Sequence, residues 1–87
     1  MGTLRSRHQR TLERIFTRPT PSDIRWSEVV SLMRALDVEI SELAGSRVLL
    51  RKSSVRVVVH RPHPGPNLKP SSVQTVARFL DQLGAGS

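Results

Sequence analysis

From Arg47 to His60 the chain reads Arg-Val-Leu-Leu-Arg-Lys, then Ser-Ser, then Val-Arg-Val-Val-Val-His. These two β-branched segments around a short polar pair constrain the fold more than any other feature. Side chains alternate across a strand, so the register of a hairpin decides what each of its faces carries. With Ser53-Ser54 as a two-residue turn, position 51 faces 56, 49 faces 58 and 47 faces 60. One face then collects Val48, Leu50, Val55, Val57 and Val59, and the other Arg47, Leu49, Arg51, Arg56, Val58 and His60. Ser-Ser is not a favoured pair for such a turn. A three-residue turn, however, would set Arg56 and His60 beside Val48 and Leu50 and bury charge. The two-residue register is therefore the expected one.

The flanking sequence supplies the rest of the layer. Ser6 with Gln9 has capping-box form and opens a basic helix with a narrow apolar edge at Leu12, Ile15 and Phe16, ended by Pro19 and Pro21. Ile24-Arg25-Trp26 reads as extended, with Ser27 as N-cap of a helix over 28–36 whose Val29, Leu32, Met33 and Leu36 share one face. Val38 and Ile40 alternate with Glu39 and Ser41 in a short strand near 38–43, and Gly45 can supply the positive φ of the following turn. Four prolines between 62 and 70 make a stiff connection. A last helix over 71–83 follows, capped at Ser71 with Gln74, carrying a stripe of Val73, Val76, Ala77, Leu80 and Leu83, and stopped at Gly84.

The expectation is an α+β domain: a three-stranded antiparallel sheet with helices on one face and an extra N-terminal helix. Its expected divisions are a basic helix and linker over 1–22, the domain proper over 23–84, and a loose tail over 85–87. Trp26, Val29, Leu32, Leu36, Val48, Leu50, Val57, Val59, Val76 and Leu80 are the expected core.

Charge narrows the function. Fourteen Lys and Arg stand against seven Asp and Glu in 87 residues, a net +7, and twelve of the fourteen are arginine, which grips phosphate bidentately. The charge is also segregated. Residues 47–61 contain Arg47, Arg51, Lys52, Arg56 and Arg61 and no acid, whereas 37–43 carry Asp37, Glu39 and Glu42. This is the pattern of a phosphate-facing surface, with Arg51, Lys52, Arg56, Arg61 and Lys69 as candidate nucleic-acid contacts. With one Trp and two Phe in the chain, an aromatic platform for stacking bases is not expected. There are no cysteines, hence no disulfide framework and no thiolate metal site. The longest apolar runs are three residues, and no membrane association is expected; the expected location is the cytoplasm.

Two like-charge pairs follow from the register, Arg51 opposite Arg56 and Arg47 opposite His60, and an anion lying across the face would relieve both. The plain alternative is that the arginines splay into water. His60-Arg61-Pro62-His63 has no Cys, Asp or Glu beside it and is crowded by cations, which argues against zinc. His8, in the basic helix, reads as an ordinary surface residue. His60 is the candidate proton acceptor, with His63 nearby.

The segments Ser27-Glu28-Val29-Val30-Ser31-Leu32-Met33, Gly45-Ser46, Val57-Val58-Val59-His60, Leu68-Lys69-Pro70-Ser71-Ser72-Val73 and Phe79-Leu80-Asp81-Gln82-Leu83-Gly84, in that order and spacing, resemble the HicA-type toxins. These are mRNA interferases of toxin–antitoxin pairs. The resemblance spans about Ser27 to Gly84. It implies a fold like a double-stranded-RNA-binding domain, metal-independent cleavage of mRNA with no cofactor, and neutralisation by a HicB-like antitoxin. It also implies a Gly-Ser-His triplet with a catalytic histidine at the turn, where this chain has Gly45-Ser46-Arg47. His60, directly across the hairpin from Arg47, offers a replacement imidazole, with Arg47 left to bind phosphate and His63 as a second proton-transfer group. Two other readings stay open: a catalytically inactive relative that binds RNA or protein, and a double-stranded-RNA binder that uses shape alone.

Overall fold

The computed structural model describes residues 4–63 and 65–84; the expected loose tail over 85–87 lies outside them. Six elements run in the order α1 (Ser6–Ile15), α2 (Trp26–Ala35), β1 (Glu39–Glu42), β2 (Arg47–Lys52), β3 (Val55–His60) and α3 (Pro70–Gln82). The three strands form one antiparallel sheet in the order β1-β2-β3. The hairpin has the expected register: Arg47 opposes His60, Leu49 opposes Val58 and Arg51 opposes Arg56. Ser53 accommodates the tight turn by taking a left-handed backbone, φ 56°.

Val48, Leu50 and Val59 are buried on one face, while Arg47, Arg51, Arg56, Val58 and His60 are exposed on the other. The helices cover only the apolar face, with α3 against β3, α2 reaching β1, and α1 lying against both helices. Trp26, Leu36 and Val57, expected in the core, are only half-buried at its margin. Ile15, Ile24, Leu68 and Phe79 take the deeper places. Ile15 and Phe79 come from the buried edges of α1 and α3; Ile24 and Leu68 come from the segments that lead into helices.

Those two segments pair with each other. Arg25 and Asn67 form an antiparallel bridge, in which Trp26 N donates to Pro66 O at 2.8 Å and Leu68 N to Ile24 O at 2.9 Å. The bridge fixes where α2 and α3 begin and corrects the expected caps. Arg25, not Ser27, is the N-cap of α2, with Glu28 Oε1 accepting the Arg25 N–H at 2.9 Å. Lys69, not Ser71, is the N-cap of α3, and Pro70 takes the first helical position, where its missing N–H loses nothing. Gln74 is turned outward and donates to Thr20 Oγ1. In α1 Ser6 is already helical, and Arg5 precedes it without a side-chain cap.

The far end of α2 closes in a Schellman arrangement. Asp37 takes φ 60°, its N–H donates to Arg34 O, and Val38 N donates to Met33 O at 2.9 Å. Lys52 Nζ donates to the remaining Leu36 carbonyl. Gly84, at φ 78°, ends α3 as expected.

Candidate nucleic-acid interface

The open face of the sheet is a shallow surface with an apolar centre, the half-buried Leu49 and exposed Val58, ringed by cations. Strand alternation puts Arg47, Arg51, Arg56 and His60 there together. Lys52 belongs to the other parity and is half-buried with its ammonium on α2, so it does not join them. Arg51 does not simply repel Arg56. Its Nε and Nη2 both donate to Glu39 Oε1, at 2.9 and 2.6 Å, because β1 sets Glu39 opposite Arg51. Both partners are about half exposed, so this surface pair is worth at most about 1 kcal/mol. Its consequence is electrostatic, since it lowers the positive potential of the face. Arg47 Nε donates to Ala44 O at 3.0 Å, which holds the guanidinium over the Gly45-Ser46 turn. Arg56 has no ion pair among the described residues.

At the end of the sheet nearest that turn lies a cleft of about 440 Å³. Its walls hold His60, Arg61, His63 and Lys69, so the two candidate histidines and two candidate phosphate contacts share one cavity. Ser46, Ser71 and Ser72 add hydroxyls to it. Ser46 adopts φ 63° after Gly45 at φ 73°, and its carbonyl accepts the Arg61 N–H at 2.8 Å, tying the turn to the strand end. Arg61 is itself paired with Glu42 at 3.0 Å. The sequence marked Ser46 as a turn residue and Ser71 as a helix cap, not as members of a cleft; the bridge that fixes the start of α3 brings Ser71 and Ser72 there. His60 and His63 are both exposed. Among the described residues no three His, Asp or Glu side chains are gathered as ligands for one metal ion.

His8 is not the surface residue expected from its sequence context. It is 7% exposed, with Nε2 2.9 Å from Ser31 Oγ on α2. Among the described residues no helix is long and apolar enough to cross a membrane.

A family model described as the HicA toxin of bacterial toxin-antitoxin matches residues 26–85. The chain belongs to the HicA toxin family. Neither the curated proteins nor the solved structures gave a match. The HicA match begins at the first residue of α2 and takes in the hairpin, the cleft and α3, so α1 lies ahead of it. Gly45-Ser46-Arg47, the triplet where the resemblance led us to expect a histidine, falls within the matched segment.

Proposed function

We propose that this HicA-family chain is a metal-independent endoribonuclease that cleaves mRNA, with its proton chemistry carried by His60 rather than by a histidine at the Gly45-Ser46 turn. The observation that carries the reading is the cleft in which His60 and His63 stand with Arg61 and Lys69, with Arg47 directly across the hairpin from His60. Two imidazoles and several cations around a water-accessible cavity are the groups that phosphodiester transesterification uses.

In this mechanism a phosphate lies between Arg47, Lys69 and the cleft. The His60 imidazole takes the proton from the neighbouring ribose 2′-hydroxyl, and the freed oxygen attacks phosphorus. Charge builds on the phosphoryl oxygens and is stabilised by Arg47 and Arg61. The bond to the 5′-oxygen breaks, and His63 gives that oxygen a proton. The products are a 2′,3′-cyclic phosphate and a 5′-hydroxyl. Arg56 holds the adjoining backbone on the open face, while Arg51, engaged by Glu39, is held back from it. Lys52 supports α2, which leaves it outside the proposed RNA contacts.

A face of this charge also fits an acidic segment of a HicB-like antitoxin, whose association would be fast and salt-sensitive. Such a segment would cover Arg47 and His60 together.

The test is whether the purified protein cuts RNA in a metal chelator; RNA left intact overturns the reading. Glu39 supplies a second check. Glu39→Ala frees Arg51 for phosphate, so RNA should bind more tightly and its log–log salt slope should steepen by about 0.7, one more single-strand phosphate contact. An unchanged slope in a salt titration would show that Arg51 takes no part.

A further inference from the structure

A second cleft lies between α1 and the first turns of α2, on the helical side of the molecule, with a volume of about 360 Å³. Helical spacing builds it. His8, Thr11 and Ile15 recur along one line of α1 and are buried against its neighbours, while Arg7, Arg10 and Arg14 run beside that line and form the cleft's rim. Ser27 and Ser31 of α2 face them. Arg14 is tied to Asp23, and Glu28, also in the wall, is engaged by the Arg25 N–H. Arg7 and Arg10 are exposed and, among the described residues, form no ion pair. His8 ties the two walls of the cleft together, with Nε2 2.9 Å from Ser31 Oγ of α2, while its Nδ1 is closed to solvent and has no hydrogen-bond partner among the described residues.

The geometry points to a second phosphate-binding site in this cleft, which takes the backbone of the same RNA strand that enters the His60 cleft. The inference rests on the proposed ribonuclease reading and adds a role for α1. The Arg25–Asn67 bridge supplies the continuity. α2 starts on one side of it, at the α1 cleft, and α3 starts on the other, at the cleft of His60, His63 and Lys69. One strand can therefore run from the reacting phosphate past the bridge to Arg7 and Arg10. An acidic protein segment would meet the same charges, but the backbone bridge shared by the two helix starts favours the nucleic acid.

The test uses two non-cleavable 2′-O-methyl RNAs, one spanning the 36 Å long axis of the molecule and one a trinucleotide that fills only the His60 cleft. The protein compared with the natural chain carries Arg7→Gln and Arg10→Gln, which keep helix propensity and remove only charge; an unchanged thermal midpoint confirms the fold. The long RNA should bind the variant at least about tenfold more weakly, with a log–log salt slope shallower by about 1.4, two phosphate contacts on a single strand. The trinucleotide should bind both proteins alike, and cleavage of a short substrate should continue at the same rate. Equal binding of the long RNA, with cleavage intact, overturns the second site and leaves the ribonuclease reading standing. No binding of either RNA by the natural chain overturns both. Weakened capture of an acidic partner with RNA binding unchanged would reassign the cleft to protein contact and overturn the inference.

Discussion

His60→Ala is expected to lower the rate of RNA cleavage by about 10²–10⁴-fold, the usual worth of a positioned acid–base group, while the protein still folds and still binds RNA. Folding survives because His60 is exposed at the end of β3, where substitutions ordinarily change stability by no more than about 0.5 kcal/mol. Binding survives because Arg47, Arg56 and Lys69, which supply the proposed affinity, remain. His63→Ala should slow cleavage less, since a residue in the proline connection is held less firmly than one on a strand. Arg47→His should keep or raise activity by putting an imidazole back at the turn, opposite His60. The measurement is a single-turnover time course on a defined RNA, paired with binding of a non-cleavable analogue. Full activity of His60→Ala would remove the relocated imidazole from the account. An inactive natural chain that binds RNA normally would instead describe a relative that has kept the interface and lost the chemistry.

Phe79→Ala should have the largest effect on stability. Phe79 is 1% exposed in the layer of α3 that rests on the sheet, and truncating a buried phenylalanine costs about 3–5 kcal/mol. A small domain with about 0.1 kcal/mol of stability per residue would lose roughly half its total. In urea the unfolding midpoint should fall by about half with the slope unchanged. Val58→Ala is the matched control, because Val58 is 42% exposed on the open face and its loss should cost under about 0.5 kcal/mol. A larger loss at Val58 than at Phe79 would mean that the helices cover the other side of the sheet.

The hairpin register was legible because period-two alternation and the cost of burying arginine agree on one answer. The stripes of α2 and α3, the Gly45 turn and the Gly84 stop were legible for similar local reasons. The helix starts were not. Ser6, Ser27 and Ser71 each look like caps, yet for α2 and α3 the true boundary is set by the backbone bridge between Arg25 and Asn67, 42 residues apart in sequence. Tertiary pairing of that kind outweighs a capping preference of about 1 kcal/mol. His8 was misread although it lies four and seven residues before Leu12 and Ile15, on the apolar edge of α1; its polar side chain hid that placement, and its partner Ser31 is 23 residues away. The Arg51–Glu39 pair could have been found by carrying the register argument on from β2–β3 to β1–β2. Within the candidate site, strand parity already brought Arg47 and His60 together. The placing of Lys69, Ser71 and Ser72 beside them depends on where α3 starts, and so was out of reach.

The chemistry of the cut ends tests the central claim most directly. An RNA cleaved to completion in excess chelator by the natural chain, then analysed by mass spectrometry, should carry 2′,3′-cyclic phosphates on one fragment and 5′-hydroxyls on the other. The same RNA with a 2′-deoxyribose at the cleavage position should stay whole. Fragments ending in 3′-hydroxyl and 5′-phosphate, or equal cutting of the deoxy substrate, would contradict attack by a 2′-oxygen activated at His60.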